Sequence, residues 1–280
     1  MLSPHFKKRL KASTLIVPIA CLAIYFSYQP LFRPIFALLV IAAISLGLWE
    51  FYQIAKEKKL ESMPTLGMTS SAVYLYSVFL STQMSGIDLL PPLVLLGTLL
   101  AGFLYFFFDG RSPMVNLGVT MLGIMYLTLP LSTLFLINFE QGRWWFLYLL
   151  LVVKLTDTGA YFTGKAFGKH ALAPFISPKK TWEGAIGGLI CGIVASLVLD
   201  YIADGVFPAG AFSLSLNQAI VLGAVLSLIG QVGDLAESLL KRDAGMKDSN
   251  LLPGLGGMLD MVDSLIFTAP LLYLYLRWQT

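Results

Sequence analysis

Charged residues are scarce in this chain of 280 residues: Asp, Glu, Lys and Arg make up 12%, about half the share in soluble domains. Histidine and cysteine are scarcer still, with two of each, and they lie far apart in the sequence. The chain therefore lacks the ligand clusters of a zinc site and the histidine-centred triad of a hydrolase. A net charge of +3 is also too small to indicate nucleic-acid binding, so no nucleic-acid partner is expected.

Apolar residues make up 57% of the chain and occur in long runs that short polar loops separate. This pattern is typical of a polytopic membrane protein. We predict an all-α, multi-pass integral membrane protein with about nine spans. The predicted spans are 14–28, 31–49, 66–82, 89–108, 114–139, 144–162, 184–199, 217–235 and 256–278.

The distribution of Lys and Arg over the predicted loops gives the orientation, because cytoplasmic loops are enriched in these residues. With nine spans, 15 of the 19 basic residues fall on the side of the N-terminus. Three, Arg33, Arg143 and Arg277, fall on the other side, and Lys154 lies within a span. We therefore expect a cytoplasmic N-terminus, with the charge-rich loops on the cytoplasmic side.

Polarity is uneven along the chain, although we expect a single membrane-embedded domain over 1–280. Between residues 66 and 139 only Asp88, Asp109 and Arg111 are charged, and all three fall in predicted loops. We therefore predict that 1–143 consists mainly of scaffold spans. A charge at the centre of a membrane helix costs about 2.5–3.5 kcal/mol, so charges in spans indicate function. Segment 144–280, in contrast, includes Lys154, Asp157, Asp234, Glu237, Asp260 and Asp263 in or at the ends of spans.

Two pairs of acidic residues have the spacing that places side chains on one helix face. Asp260 and Asp263 are three residues apart, and Asp234 and Glu237 repeat this spacing in the preceding span. Neighbouring carboxylates repel each other unless a cation lies between them, and Mg²⁺ typically binds one or two carboxylates together with substrate phosphates. A helix-capping role would explain Asp260 but not Asp263 or the second acidic pair.

Basic residues in two predicted cytoplasmic loops complement these acids. One loop has Lys241, Arg242 and Lys247, and the other has Lys179 and Lys180. Cations beside a metal-binding carboxylate set are suited to holding a triphosphate. No Walker A motif is present, so a P-loop is not indicated. Taken by themselves, Lys179 and Lys180 would be explained by the enrichment of basic residues in cytoplasmic loops and by their attraction to anionic headgroups.

The C-terminal part of the chain resembles the phosphatidate cytidylyltransferases, also called CDP-diacylglycerol synthases. Their signature reads roughly Ser-x-apolar-Lys-Arg, four residues, Lys-Asp, a short loop, Pro-Gly-His-Gly-Gly, two residues and Asp-Arg-x-Asp. The segments 177–184 and 233–238 are similar to the family as well, and the resemblance extends from about Lys154 to Ser264. The signature positions that match in order are Ser238, Lys241, Arg242, Lys247, Asp248, Pro253, Gly254, Gly256, Gly257, Asp260 and Asp263.

Two positions depart from that signature: Leu255 stands where the family has His, and Met261 where it has Arg. Nucleotidyl transfer depends mainly on positioning and on charge stabilisation, and an ionised phosphate monoester needs little general base. We therefore expect activity without the His. The missing Arg removes one cation that could hold a phosphate or orient Asp260.

The resemblance implies the reaction CTP + phosphatidate → CDP-diacylglycerol + diphosphate, at the cytoplasmic face of a bacterial-type inner membrane. It also implies Mg²⁺, with a second cation compatible, and suggests a homodimer. Asp234, Asp260 and Asp263 would bind the metal, with Lys241 and Glu237 also catalytic. The expected substrate contacts are Asp157, Ser177, Lys179, Lys180, Thr181, Glu183, Arg242, Lys247, Asp248, Gly256 and Gly257.

Two other functions fit parts of the pattern. A CTP-dependent lipid-alcohol kinase would transfer the γ-phosphate to a hydroxyl, with a residue such as Asp157 as base. A cation transporter could also place paired carboxylates among helices, but it would place them near the bilayer midplane and would not need a lysine-rich cytoplasmic wall.

Overall fold

The computed structural model describes residues 23–110, 112–206, 213–246 and 257–279. Long helices dominate it, and one β-hairpin lies between the fifth and sixth of them. The helices are α1 (Arg33–Glu57), α2 (Pro64–Ser81), α3 (Leu90–Asp109), α4 (Pro113–Gln141), α5 (Arg143–Phe167), α6 (Trp182–Val206), α7 (Leu216–Asp243) and α8 (Met258–Gln279). The hairpin pairs β1 (Ala171–Ala173) with β2 (Ser177–Thr181) in antiparallel register.

Among the described residues, seven helices are long and apolar enough to cross a membrane, all of the above except α2. The prediction of an all-α polytopic membrane protein is therefore confirmed, with the short hairpin as an unpredicted addition. The predicted first span, 14–28, lies mostly outside the described residues, and α2 is a helix but not one of the seven. The number of nine spans thus stays a prediction.

Proline starts four consecutive helices. Pro34, Pro64, Pro91 and Pro113 each lie in the first turn of α1, α2, α3 and α4 respectively. Proline has no N–H to donate, and the first turn of a helix leaves its N–H groups without intrahelical partners in any case. Within α4, a π-helical turn at Ile124–Thr128 precedes Pro130, where the regular hydrogen-bond ladder cannot continue unchanged.

The chain divides into two compact units, each made of two segments. Unit 1 comprises 1–140 and 240–262, and unit 2 comprises 141–239 and 263–280. The first border lies close to the predicted division at 143, but a later segment, 240–262, groups with the N-terminal part. The single domain over 1–280 stays a prediction.

Unit 1 has a core built on the buried face of α1. Ile44, Leu48 and Tyr52 are almost fully buried there, together with Leu75 of α2 and Leu127 of α4. The Tyr52 hydroxyl donates to the carbonyl oxygen of Thr120 at 2.9 Å, so this buried polar group is satisfied. Burial of these apolar side chains holds the scaffold helices together.

Unit 2 is held together by close packing between α5 and α6. A Cβ atom on Gly187 or Gly192 would overlap with side chains of α5, so the glycines let the two helices approach closely. Buried hydroxyls bridge helices here, with Tyr148 Oη 2.6 Å from Ser196 Oγ and Thr156 Oγ1 2.6 Å from Ser227 Oγ. This packing fixes the helices that carry the predicted site residues of unit 2.

Glu50 of α1 caps the start of α8 within unit 1. Its side chain is only 1% exposed, and its two carboxylate oxygens accept from the backbone N–H groups of Met258 and Leu259, each at 2.8 Å. The first N–H groups of a helix lack intrahelical partners and carry partial positive charge, so a carboxylate is a favourable cap. No local sequence pattern indicates this role of Glu50.

We predict that Glu50→Ala destabilises the protein by about 2 kcal/mol, because two buried N–H groups lose their acceptors. Glu50→Gln keeps one carbonyl oxygen and should lose less. Thermal unfolding of the detergent-solubilised protein measures the effect. Glu57→Ala, an exposed change at the end of the same helix, is the matched control and should shift stability by less than about 0.5 kcal/mol. Equal unfolding temperatures for Glu50→Ala and the control would contradict the capping role.

Candidate active site

A cavity of about 520 Å³ in unit 2 brings charged residues from three elements together. Helix α5 contributes Asp157 and Lys165, β2 contributes Lys179 and Lys180, and α7 contributes Asp234. Its other lining residues are uncharged: Ala160, Tyr161, Gly164, Leu172, Thr181, Gly184, Ala185 and Gln231. Three lysines beside two carboxylates give the cavity the groups that bind phosphate and divalent cations.

Two ion pairs link these charges. Lys180 Nζ lies 2.7 Å from Asp234 Oδ2, joining the hairpin to α7, and Lys154 Nζ lies 3.4 Å from Asp157 Oδ2 within α5. A lysine next to each carboxylate offsets part of the cost of taking the charge out of water. These pairs therefore hold the cavity wall in place.

Asp263 of α8 adds a third carboxylate to unit 2. It is 5% exposed, and its Oδ1 accepts from the backbone N–H of Ser264 at 2.5 Å and from Ser264 Oγ at 3.0 Å. The charged groups that act on it electrostatically are Asp234, Lys154 and Asp157. We call Asp157, Asp234 and Asp263 the carboxylate cluster.

Gly233 explains how α7 and α8 come close enough to form this cluster. A Cβ atom at position 233 would lie 3.2 Å from the Cα of Ser264 and closer still to the backbone oxygen of Asp263. Only glycine fits such an approach without moving backbone atoms. The next residue, Asp234, is therefore carried to the same part of unit 2 as Asp263.

The fit of this cluster to Mg²⁺ rests on two carboxylates. Among the described residues, no three His, Cys, Asp or Glu side chains are arranged closely enough to hold a metal ion by themselves. Mg²⁺, however, commonly binds one or two carboxylates and takes its other ligands from substrate phosphates and water. Asp234 and Asp263, which interact electrostatically in unit 2, match that smaller set.

Other predicted residues lie in unit 1. Lys241 is 5% exposed and forms an ion pair with Asp260 Oδ1, while Asp260 Oδ2 accepts from the Gly257 N–H at 3.2 Å. Asp260 therefore closes the first turn of α8, as the capping alternative requires. Arg242 is exposed and donates to the Met246 carbonyl oxygen at 3.4 Å.

Three predicted contact residues support the hairpin. Thr181 Oγ1 accepts from the Gly184 N–H at 3.1 Å and so caps α6. Glu183 accepts from the N–H groups of Lys169 and His170 at 3.1 and 3.3 Å, and its other oxygen lies 2.6 Å from His170 Nδ1. Ser177 pairs with Ala173 in the two-stranded register. These side chains hold Lys179 and Lys180 at the cavity; their substrate contacts stay predictions.

Some predicted residues lie outside the described part of the chain, namely Lys247, Asp248 and Gly256, as does the departure at Leu255. Glu237 of unit 2 is buried in α7, near its C-terminal end. The predicted site residues thus occur in both units, and the structure collects Asp157, Lys179, Lys180, Asp234 and Asp263 in unit 2.

Two residues contribute to the sites without a clear signal in the sequence. Glu50 holds the start of α8, and the only sequence signal for it is an acid at the C-terminal end of an apolar run. Gln231, one turn before Asp234, donates to the Ala185 carbonyl oxygen at 3.3 Å and lines the cavity. Neither role follows from local spacing.

Comparison with known proteins identifies relatives of this chain. Proteins named phosphatidate cytidylyltransferase from Staphylococcus saprophyticus and Staphylococcus aureus are each 41% identical to the chain, over 180 and 187 residues. These matches cover 64% and 66% of the chain, and they span 64% and 65% of the relatives' own lengths. A relative of the same name from Staphylococcus epidermidis is 37% identical over 69% of each chain. The model of the cytidylyltransferase family matches residues 7–279, and the chain therefore belongs to that family.

Proposed function

We propose that the protein transfers the cytidylyl group of CTP to phosphatidate, giving CDP-diacylglycerol and diphosphate. The observation that carries the proposal is the unit 2 cavity, where hairpin lysines face carboxylates of α5 and α7. Family membership and the names of the relatives support the same reaction. The matches to the two 41% identical relatives span 64% and 65% of those proteins' own lengths.

In the proposed reaction, an oxygen of the lipid phosphate attacks the α-phosphorus of CTP in line. The new bond joins that oxygen to the α-phosphorus, and the bond from the α-phosphorus to the bridging oxygen of the β-phosphate breaks. Diphosphate leaves with the electron pair, and no group is oxidised or reduced. A phosphate monoester is largely ionised at neutral pH, so a strong general base is not needed.

The hairpin lysines suit the binding of phosphate oxygens. Lys179 and Lys180 line the cavity on flexible side chains, and Lys165 adds a third positive charge from α5. We propose that an incoming phosphate takes Lys180 away from Asp234, since a more highly charged anion competes for the same ammonium group. The carboxylate of Asp234 then becomes available for a cation.

The proposed cation ligands in unit 2 are Asp234 and Asp263. Bound Mg²⁺ would neutralise charge on the triphosphate and polarise the α-phosphoryl group. Asp260, the third predicted ligand, would have to exchange Lys241 and the Gly257 N–H before it could bind a cation. Asp157 pairs with Lys154 and would hold this lysine beside the carboxylate cluster.

The remaining roles complete the proposal. Lys241, Arg242 and Lys247 would hold the triphosphate, and Glu237 and Asp248 would orient ligands or basic side chains. The reaction would take place at the cytoplasmic face, where CTP arrives from water and phosphatidate from the leaflet. A homodimer and a bacterial inner membrane remain part of the proposal.

Labelled CTP tests the proposed reaction. Purified protein with phosphatidate and Mg²⁺ should convert CTP labelled in the cytidine into a labelled lipid, while CTP labelled in the γ-phosphate should release its label as diphosphate. Transfer of the γ-label to a lipid alcohol would indicate a kinase instead. Failure of the folded protein to make any cytidine-labelled lipid would contradict the proposal.

We predict that Lys180→Gln raises the KM for CTP or phosphatidate by about tenfold or more, because one charge-assisted phosphate contact is lost. Steady-state kinetics of the cytidylyl transfer measure the effect. Lys169→Gln is the matched control, since Lys169 is an exposed lysine of the same loop region that does not line the cavity. Identical kinetics for Lys180→Gln and the wild type would rule out the proposed phosphate contact.

A further inference from the structure

Unit 1 contains a separate cavity of about 1100 Å³ that shares no lining residue with the unit 2 cavity. It lies where α1 ends and α2 begins, and α3 and α4 complete it through Tyr105 and Asn116. By the predicted orientation, the loop between α1 and α2 is cytoplasmic. None of the roles described above uses this cavity.

Two lysines give the rim of the unit 1 cavity a positive charge. Lys56 and Lys59 line it and are exposed, and within the described ranges their side chains have no hydrogen-bonding or ionic partner. Lys58, between them, does not line the cavity and is paired with Asp243. The acidic lining residue, Glu61, accepts from Asn116 Nδ2 at 3.2 Å. The cavity lining therefore has two lysines and one carboxylate, which is already hydrogen-bonded.

The backbone at Lys59 is in the left-handed conformation, with φ at 60°. The N–H of Leu60 donates to the Ala55 carbonyl oxygen at 2.9 Å, and that of Lys59 to the Lys56 carbonyl oxygen at 2.8 Å. This is the Schellman ending of a helix, in which the left-handed position is usually glycine. A strained lysine at the edge of a cavity points to a role for its side chain.

The walls of the unit 1 cavity are partly apolar and continue onto a membrane-spanning helix. Leu66 of α2 and Ala101, Tyr105 and Phe106 of α3 line the cavity. The same α3 exposes large apolar side chains along its length, which is the expected surface of a helix in contact with acyl chains. The exposed apolar side chains of α3 include Leu93, Leu96, Leu100, Phe103, Leu104 and Phe107.

We infer that the unit 1 cavity binds an anionic glycerophospholipid of the cytoplasmic leaflet. Lys56 and Lys59 contact its phosphate, and the apolar residues of α2 and α3 contact its acyl chains. Charge complementarity favours an anionic headgroup, and the apolar walls favour a lipid over a free nucleotide. The inference does not depend on the proposed reaction, because the cavity contains neither the hairpin lysines nor the carboxylate cluster.

Native mass spectrometry of the detergent-solubilised protein tests the site, with phosphatidylglycerol and phosphatidylcholine as probes. Phosphatidylglycerol is a phosphodiester and so is not the nucleophile of the proposed reaction. The wild type should retain phosphatidylglycerol in preference to phosphatidylcholine. The double variant Lys56→Gln/Lys59→Gln should lower that retention about tenfold, as expected for the loss of charge-assisted contacts. Lys58→Gln, which removes a neighbouring lysine outside the cavity, should leave it unchanged.

A second variant separates binding from folding. Lys59→Gly relieves the left-handed strain, so the unfolding temperature should rise or stay level while phosphatidylglycerol retention falls. Equal retention of both lipids by the wild type, or equal losses in the double variant and in Lys58→Gln, would overturn the inference. Displacement of phosphatidylglycerol by CTP would overturn it too, because the cavity would then be a nucleotide site.

Discussion

The neutralisation of acidic side chains within apolar helices is the constraint on which the rest of this structure depends. A buried carboxylate is costly unless a cation or several N–H groups compensate for it. Lys180 compensates for the half-buried Asp234 and Lys154 for the half-buried Asp157. In the third pair the buried group is Lys241, and the exposed Asp260 compensates for it. Backbone N–H groups of α8 do the same for Glu50.

Asp263 differs from the other acids. Its hydrogen-bond donors in the described structure are the N–H and hydroxyl of Ser264, and two of the three charged groups that act on it are carboxylates. The carboxylate cluster of unit 2 therefore carries more negative than positive charge around Asp263. A divalent cation would relieve this repulsion, and a substrate phosphate would bring its own need for one.

Much of this arrangement could be predicted from local sequence patterns. Apolar runs predicted α8 within two residues, over 256–278 against the observed Met258–Gln279. For α7 they predicted 217–235, whereas the helix continues to Asp243. Charges within spans pointed to Asp157, Asp234 and Asp263, because such charges are too costly to occur without a role. Both patterns could be recognised because hydrophobic runs and charges within them are local properties of the sequence.

Other features depend on contacts between distant residues. Glu50 caps a helix that begins 208 residues later, and no spacing rule connects the two. Asp260 and Asp263 look equivalent in sequence but have different partners. Asp260 accepts from the Gly257 N–H in the first turn of α8 and pairs with Lys241, whereas Asp263 accepts from Ser264. The hairpin was missed because its strands, of three and five residues, are too short to give a clear alternating pattern.

The carboxylate cluster is the central claim, and cation binding tests it without requiring catalysis. Electron paramagnetic resonance can follow the binding of Mn²⁺, as a probe for Mg²⁺, by the purified protein with CTP present. We expect Asp263→Asn to weaken Mn²⁺ binding at least about tenfold relative to the wild type, since one of two carboxylate ligands is lost. Asp88→Asn, in an exposed loop, should have no effect. Undiminished Mn²⁺ binding by a folded Asp263→Asn protein would contradict the account.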